Sequence, residues 1–338
     1  MHMADALISP AVGAAMYGVS IGANAYAVKS VKNDGLSDKK IPVMGVMGAF
    51  VFAAQMVNFT IPFTGSSGHI AGGVLLAALL GGSRALLSVT CVLIIQCLFF
   101  ADGGLLALGC NIFNMGVIPC LIVYPLIFKP IAAKFSWRRL GLASVAASVS
   151  AMLSGAFCVT AQTYASGVTA LPFKTFLLLM LPIHLAIGLA EGVITAAVLC
   201  FINETRPEIM SSFTADSVKS SAVSFKRALI ALSLAALFTG GVLSLFASKR
   251  PDGLEWSVAA VTGGAGLQTQ SAAALDLAQI QEKTAFMPDY DFIDARGAII
   301  PGTSAAGLIG GVITCAFAAA VGALIWVFRK RRGNHDAL

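Results

Sequence analysis

The chain has 338 residues, 57% of them hydrophobic and 11% charged, with a net charge of +6. Soluble domains carry about 25% charged residues, so this composition excludes a soluble globular enzyme. A mean hydropathy of +0.85, spread over long continuous apolar runs, points to many membrane-spanning helices and excludes a transmembrane β-barrel, whose strands would alternate.

Nine apolar segments follow in order: residues 6–28, 41–60, 69–82, 84–100, 104–128, 139–165, 171–202, 227–247 and 305–328. The third is short for a span and needs help from its neighbours. The expected fold is therefore an all-α polytopic membrane protein of about nine transmembrane helices. Basic residues lie between the apolar runs, so they report topology and do not imply nucleic acid. Putting the N-terminus outside leaves most of them inside, including Lys29, Lys32, Lys129, Lys134, Arg138, Arg139 and the Arg329–Arg332 cluster. The positive-inside rule then predicts an outer N-terminus and a cytoplasmic C-terminus.

Two blocks are expected. Residues 1–203 hold seven spans, and a polar cytoplasmic linker occupies about 204–226. Residues 227–338 form two spans around a mildly acidic outer loop at about 248–304. The N-terminus lacks the basic region of a signal peptide, so Met1 and His2 are expected in the mature chain. Seven cysteines, none in a CxxC pair, fall inside apolar runs and read as packing residues. Small residues four apart, at Gly18 and Gly22 and at Gly188 and Gly192, allow close helix approach, either within the chain or towards another membrane subunit.

Only four histidines occur: His2, His69, His184 and His335. A terminal Xaa-His unit is a chelator. The Met1 amine, the His2 amide nitrogen and the His2 imidazole Nδ1 can close a five- and a six-membered ring on one ion. The amide must lose its proton, which Ni(II) and Cu(II) achieve near neutral pH. Flat nitrogen coordination selects these ions over Zn, Mg or Ca, with Co(II) still open. Position 3 is Met3, so a fourth donor comes from elsewhere. His69, in GSSGHIAGG, lies on the same outer face by the topology argument. Its flanking glycines permit close backbone approach. Both imidazoles must be neutral to bind, so acid should weaken binding.

His184 and Glu191 sit seven apart inside the seventh span. Ionisable residues at that depth are functional candidates. The alternative is an interhelical hydrogen bond to Asn58, Gln96, Asn111 or Asn114. Asp102 and Asn111 flank the outer end of the fifth span and can orient a ligating imidazole. No GxxxxGK[ST] phosphate cradle is present, so uphill transport needs an ATPase on another chain. Gly65–Gly68 also matches GxSG, a short signature of rhomboid intramembrane proteases. That reading makes Ser67 a nucleophile and His184 its base.

Four stretches carry a family resemblance: MHMADALISPAVG, PFTGSSGHIAGG, DGGLLALGCNIFNMGV and PIHLAIGLAEGVITAAV. Together they resemble the CbiM/NikM family, the substrate-binding components of energy-coupling factor transporters for nickel and cobalt. ASKRPDGLEWSV and FMPDYDF resemble the small CbiN/NikN component, so the chain looks like an M–N fusion. The resemblance implies that the Met1 amine, His2 and His69 bind the metal, with no catalytic residue and no organic cofactor. It implies two kinds of partner within the inner membrane lipid and at its cytoplasmic face: a transmembrane coupling component and cytoplasmic ATPases. The NikM pattern favours Ni(II); cobalt uptake for cobalamin synthesis is the alternative.

Overall fold

The computed structural model describes residues 1–33, 40–134, 136–205, 225–264, 267, 271–293, 299–300 and 302–335. Most of the expected linker at 204–226 lies outside the described residues, as does Arg296 of the outer loop. The architecture is helical. The first block comprises α1 (Pro10–Asn33), α2 (Lys40–Gln55), α3 (Gly73–Leu80), α4 (Gly82–Phe100), α5 (Leu108–Ala132), α6 (Trp137–Ser166) and α7 (Phe173–Thr205). The second comprises α8 (Phe225–Gly241), α9 (Gly253–Thr262), α10 (Ala272–Thr284) and α11 (Thr303–His335).

Seven helices among the described residues are long and apolar enough to cross a membrane. The nine expected segments are all helical, but two are shorter than a span. Helix α2 has 16 residues and α3 only eight. At 1.5 Å per residue α3 reaches about 12 Å, well under the ~30 Å hydrocarbon core. Every residue of α3 is buried, so its hydrophobicity reflects a place in the protein core rather than contact with lipid. Gly72, at φ +76°, turns the chain into α3, and Gly81, at φ +81°, separates it from α4. An L side chain is strained at either φ. Pro119 and Pro125 lie inside α5, whose turns widen to a π-type pattern over Phe113–Phe128. Proline removes backbone donors and clashes with the preceding turn, and a looser winding accommodates both effects.

The two blocks pack side by side. Gly45 of α2 lies against the Cys315 carbonyl of α11, where a Cβ would approach to 2.8 Å. Gly240 of α8 meets Gly307 of α11 backbone to backbone. In the first block, Gly188 and Gly192 of α7 press on the Val149 and Val145 backbone of α6. By contrast, Gly18 and Gly22 of α1 have nothing nearby. The small-residue spacing thus marks internal packing on α7 and an open face on α1.

Candidate metal centre

The first nine residues are folded into the molecule. Met3 is fully buried and Met1 nearly so. The Met3 amide donates to Asn111 Oδ1 at 2.8 Å, and Asn111 Nδ2 donates back to the Met3 carbonyl at 3.3 Å. Gly104 N also donates to the Met3 carbonyl, at 2.8 Å. Asp5 accepts from the Ala107 amide at 3.0 Å. The segment around Cys97–Asn111 therefore fixes both sides of Met3 and, with it, the position of His2.

His69 arrives from a short hairpin, β1 (Phe59–Thr60) with β2 (Ser67–Gly68). Gly68 lies so close to Ile187 of α7 that a Cβ would stand 2.5 Å from Ile187 Cδ1. Beyond His69, both oxygens of Glu191 accept backbone protons, from Ala71 N at 2.8 Å and Gly72 N at 3.2 Å. Gln55 Nε2 donates to the Ala71 carbonyl at 3.0 Å. A buried carboxylate satisfied in this way is an anchor, and it holds the His69 loop to the middle of α7.

These two segments place the His2 and His69 rings 5.5 Å apart, centroid to centroid. Gln96 Nε2 donates to Gln55 Oε1 at 2.6 Å, so Gln96 Oε1 is left to accept from His2 Nε2, 3.1 Å away. That assigns the proton of neutral His2 to Nε2 and leaves Nδ1 as the basic nitrogen, 3.4 Å from Asp102 Oδ1. Tyr290 of the second block donates its hydroxyl to the other oxygen of Asp102. His69 Nδ1–H donates to the Ile70 carbonyl at 2.9 Å, which leaves its lone pair on Nε2. The Met1 ammonium lies 3.2 Å from Asp252 Oδ2, in a pair with side chains 4% and 19% exposed. Asp252 also caps α9 in a reciprocal capping box with Glu255.

The electrostatics favour neutral imidazoles. Burial lowers the pKa of His2, despite the opposing pull of Asp102. Burial, then the neighbouring His2, lowers that of His69 to about 4. Burial alone would raise the Asp252 carboxyl, but the amino-terminal charge overrides it and holds the group well below the usual carboxylate range. A cleft of about 890 Å³ reaches both histidines and is lined on the second block's side by Asp252, Glu255, Asp289 and Asp291. Among the described residues, no three His, Cys, Asp or Glu side chains cluster tightly enough to hold a metal by themselves.

The sequence-derived candidates thus separate. Met1, His2 and His69 converge; Asp102 lies against His2, and Asn111 holds Met3, the residue that follows it. None of Asn58, Gln96, Asn111 and Asn114 is recorded as bonding His184. Gln96 bonds His2, Asn111 bonds Met3 and Asn114 bonds Gln162. His184 instead donates within its own helix, to the Met180 carbonyl at 2.8 Å. The Ser67 hydroxyl is used on the Arg250 and Pro251 carbonyls, at 2.7 and 3.2 Å, and no hydrogen bond joins it to His184. Asp252 and Gln96 were not predicted at this site. Asp252 reaches Met1 across 251 positions, and no local pattern encodes that contact, although the D-x-x-E box that builds its helix cap is readable.

Comparison with known proteins identifies the family. A family model described as the cobalt uptake substrate-specific transmembrane region, CbiM, matches residues 2–209. The chain belongs to the CbiM family. A PDGLE domain matches residues 226–326 of the same chain, so this CbiM member carries a CbiN-like second block. A protein of Archaeoglobus fulgidus, named as a fused nickel transport protein, is 31% identical over 94% of this chain and 96% of its own length. A cobalt transport protein of Sorangium cellulosum is 33% identical over 50% of this chain and 76% of its own. A crystal structure titled as a truncated transition metal transporter aligns with a TM-score of 0.53 and 30% identity, covering 60% of this chain and 99% of that one. The CbiM chain described here is accordingly a multi-pass membrane protein.

Proposed function

We propose that this CbiM chain captures Ni(II), with Co(II) as the alternative cargo, on the outer side of the membrane and passes it inward. One observation carries the reading: the His2 and His69 rings lie 5.5 Å apart, and buried Met1 lines one cavity with His69. Side chains alone do not form a three-donor cluster there among the described residues, so the remaining donors are main-chain nitrogens. The amine, the deprotonated His2 amide, His2 Nδ1 and His69 Nε2 then make four nitrogens for a flat d⁸ or d⁷ ion. The amine leaves Asp252 to do so.

Delivery needs energy, and the sequence holds no nucleotide cradle. We assign the chain the role of substrate-binding subunit, with a transmembrane coupling component and cytoplasmic ATPases as partners. Residues 1–203 form the metal-binding unit and 227–338 the CbiN-like unit, joined by a cytoplasmic linker at 204–226. The N-terminus is outside and the C-terminus inside. No catalytic residue and no organic cofactor belong to this reading. Nickel and cobalt both appear in the names of relatives. The acidic mouth of the cleft raises the local concentration of either cation and does not choose between them.

Calorimetric titration of the purified chain with Ni(II) and Co(II) tests capture. One tight site is expected, lost in His2→Ala and in His69→Ala. Vesicles tested with and without the coupling and ATPase subunits test the second half. ATP-independent accumulation by the chain alone would make it a passive channel.

A further inference from the structure

We propose that His184 is a second binding station for the transported transition-metal cation, in a cavity that Met1 and His69 also line. The inference rests on the capture reading above and adds a donor to it.

His184 is fully buried, and its Nε2 has no hydrogen-bond partner. Such a group in a native interior calls for an explanation. The Nδ1–H is committed to the Met180 carbonyl, so the Nε2 atom carries the lone pair. A ligating histidine is set up in this way: one nitrogen donates to a fixed acceptor, which chooses the tautomer and leaves the other nitrogen for the metal. His69 has the same arrangement, with Nδ1 on the Ile70 carbonyl.

Both imidazoles line one cavity of about 10 Å³, together with Met1, Asp252, Met115 and Met152. That is room for about one water-sized sphere, hence for a cation stripped of its water. Thioethers are soft donors that suit late transition metals more than Mg or Ca. Gly253 closes the cavity from the second block, since a Cβ there would lie 3.3 Å from His184 Cε1. Glu191 does not compete for the ion, because its two oxygens hold Ala71 N and Gly72 N. Helix α7 therefore does two things with its two ionisable residues. Glu191 pins the loop that carries His69, and one to two turns away His184 offers the next nitrogen donor. A cation released from the amine and His2 meets it without leaving the protein.

The test isolates this station by breaking the capture chelate with His2→Ala in the full chain and titrating with Co(II), whose visible absorption reports its ligands. His2→Ala is expected to keep a weaker one-to-one complex. Adding His184→Gln should weaken it at least tenfold. Adding His184→Cys instead should restore binding and give a sulfur-to-cobalt charge-transfer band absent from His2→Ala, a signal that packing changes cannot produce. Circular dichroism and thermal unfolding confirm that each variant is folded. Equal affinity with Gln and His at position 184, no Co(II) binding by His2→Ala, or no charge-transfer band with Cys overturns the proposal. If the unaltered chain and His2→Ala bind with the same high affinity, the capture reading fails instead, and the comparison at position 184 still decides the station.

Discussion

Acetylating the Met1 amine keeps every side chain and changes one donor atom. The Met1 nitrogen becomes an amide with no terminal amine beside it to anchor the ion, so it loses both its charge and its basicity as the first donor of the chelate. In the metal-free protein the change breaks the contact to Asp252 at 3.2 Å. Removing one partner of a fully buried pair costs about 3–5 kcal/mol. Here Asp252 retains 19% side-chain exposure and a helix-capping bond from Glu255 N, so about 1–2 kcal/mol is the appropriate scale, nearer the exposed limit. The protein should still fold, with a lower melting temperature. The metal effect should be larger. Loss of a partner outside the coordination sphere typically costs 10–100-fold in affinity, so loss of a donor inside it should cost about 100-fold or more. Calorimetry with Ni(II) on the native and acetylated proteins reads both affinity and stoichiometry. Wild-type affinity in a folded acetylated protein would refute the terminal chelate.

Four further outcomes follow from the same geometry. Because burial keeps His2 and His69 neutral, with His69 at about 4, protons should compete with metal at His69 only near pH 4. Between pH 7 and 6 the affinity should fall only through protons displaced from the amine and amide; an inflection near pH 6.5, where an ordinary histidine titrates, would contradict this. The same depressed values mean that the unfolded chain binds more protons than the folded one from about pH 6.5 down to about pH 4, so metal-free stability should fall across that window and can be followed by melting temperature. Asn111→Ala removes both side-chain hydrogen bonds to Met3 and leaves a buried amide to find a new partner; nickel affinity should drop about 10–100-fold with unit stoichiometry kept. Gly253→Ala puts a methyl group 2.5 Å from Ile183 Cγ2; overpacking of this kind costs about 1–3 kcal/mol, and the reading is a lower melting temperature with faster proteolysis near Arg250. An unchanged protein would show that Asp252 and Gly253 do not dock as described.

Hydropathy located each helical segment because long apolar runs leave no alternative conformation in lipid. It counted α3 as a short span in need of its neighbours, and the structure buries the helix on all sides. A helix buried on all sides by protein and a helix facing lipid are equally apolar, and only length separates them. The outer loop was harder still. Its two helices, α9 and α10, were not anticipated, because neither is apolar enough to register as a span and the caps at Asp252 and Ser271 that start them are short polar patterns. At the centre, His2 and His69 were singled out because chelation is local chemistry and the expected topology put them on one face, and their rings lie 5.5 Å apart. His184 was flagged by its depth in the membrane. The expected amide partner for it is absent among the described residues: Gln96 bonds Gln55 and His2, Asn111 bonds Met3 and Asn114 bonds Gln162.

The contacts that sequence could not supply are those between the two blocks, and they explain why the PDGLE stretch has its form. Pro251 and Arg250 offer carbonyls to Ser67, two residues before His69, and the Ser67 amide donates to Pro251 at 2.8 Å. Asp252 ends that turn, caps α9 and faces the Met1 amine. Gly253 lets the turn sit against His184. Four consecutive residues, from Arg250 to Gly253, thus touch the amine, the His69 loop and the buried imidazole at once. Asp252 holds the amine at 3.2 Å, and under the proposed chelate it would give the amine up to the metal. Loading would then depend on how the second block is seated, so changes at Asp252 or Gly253 should alter capture even though neither residue is one of the four proposed nitrogen donors.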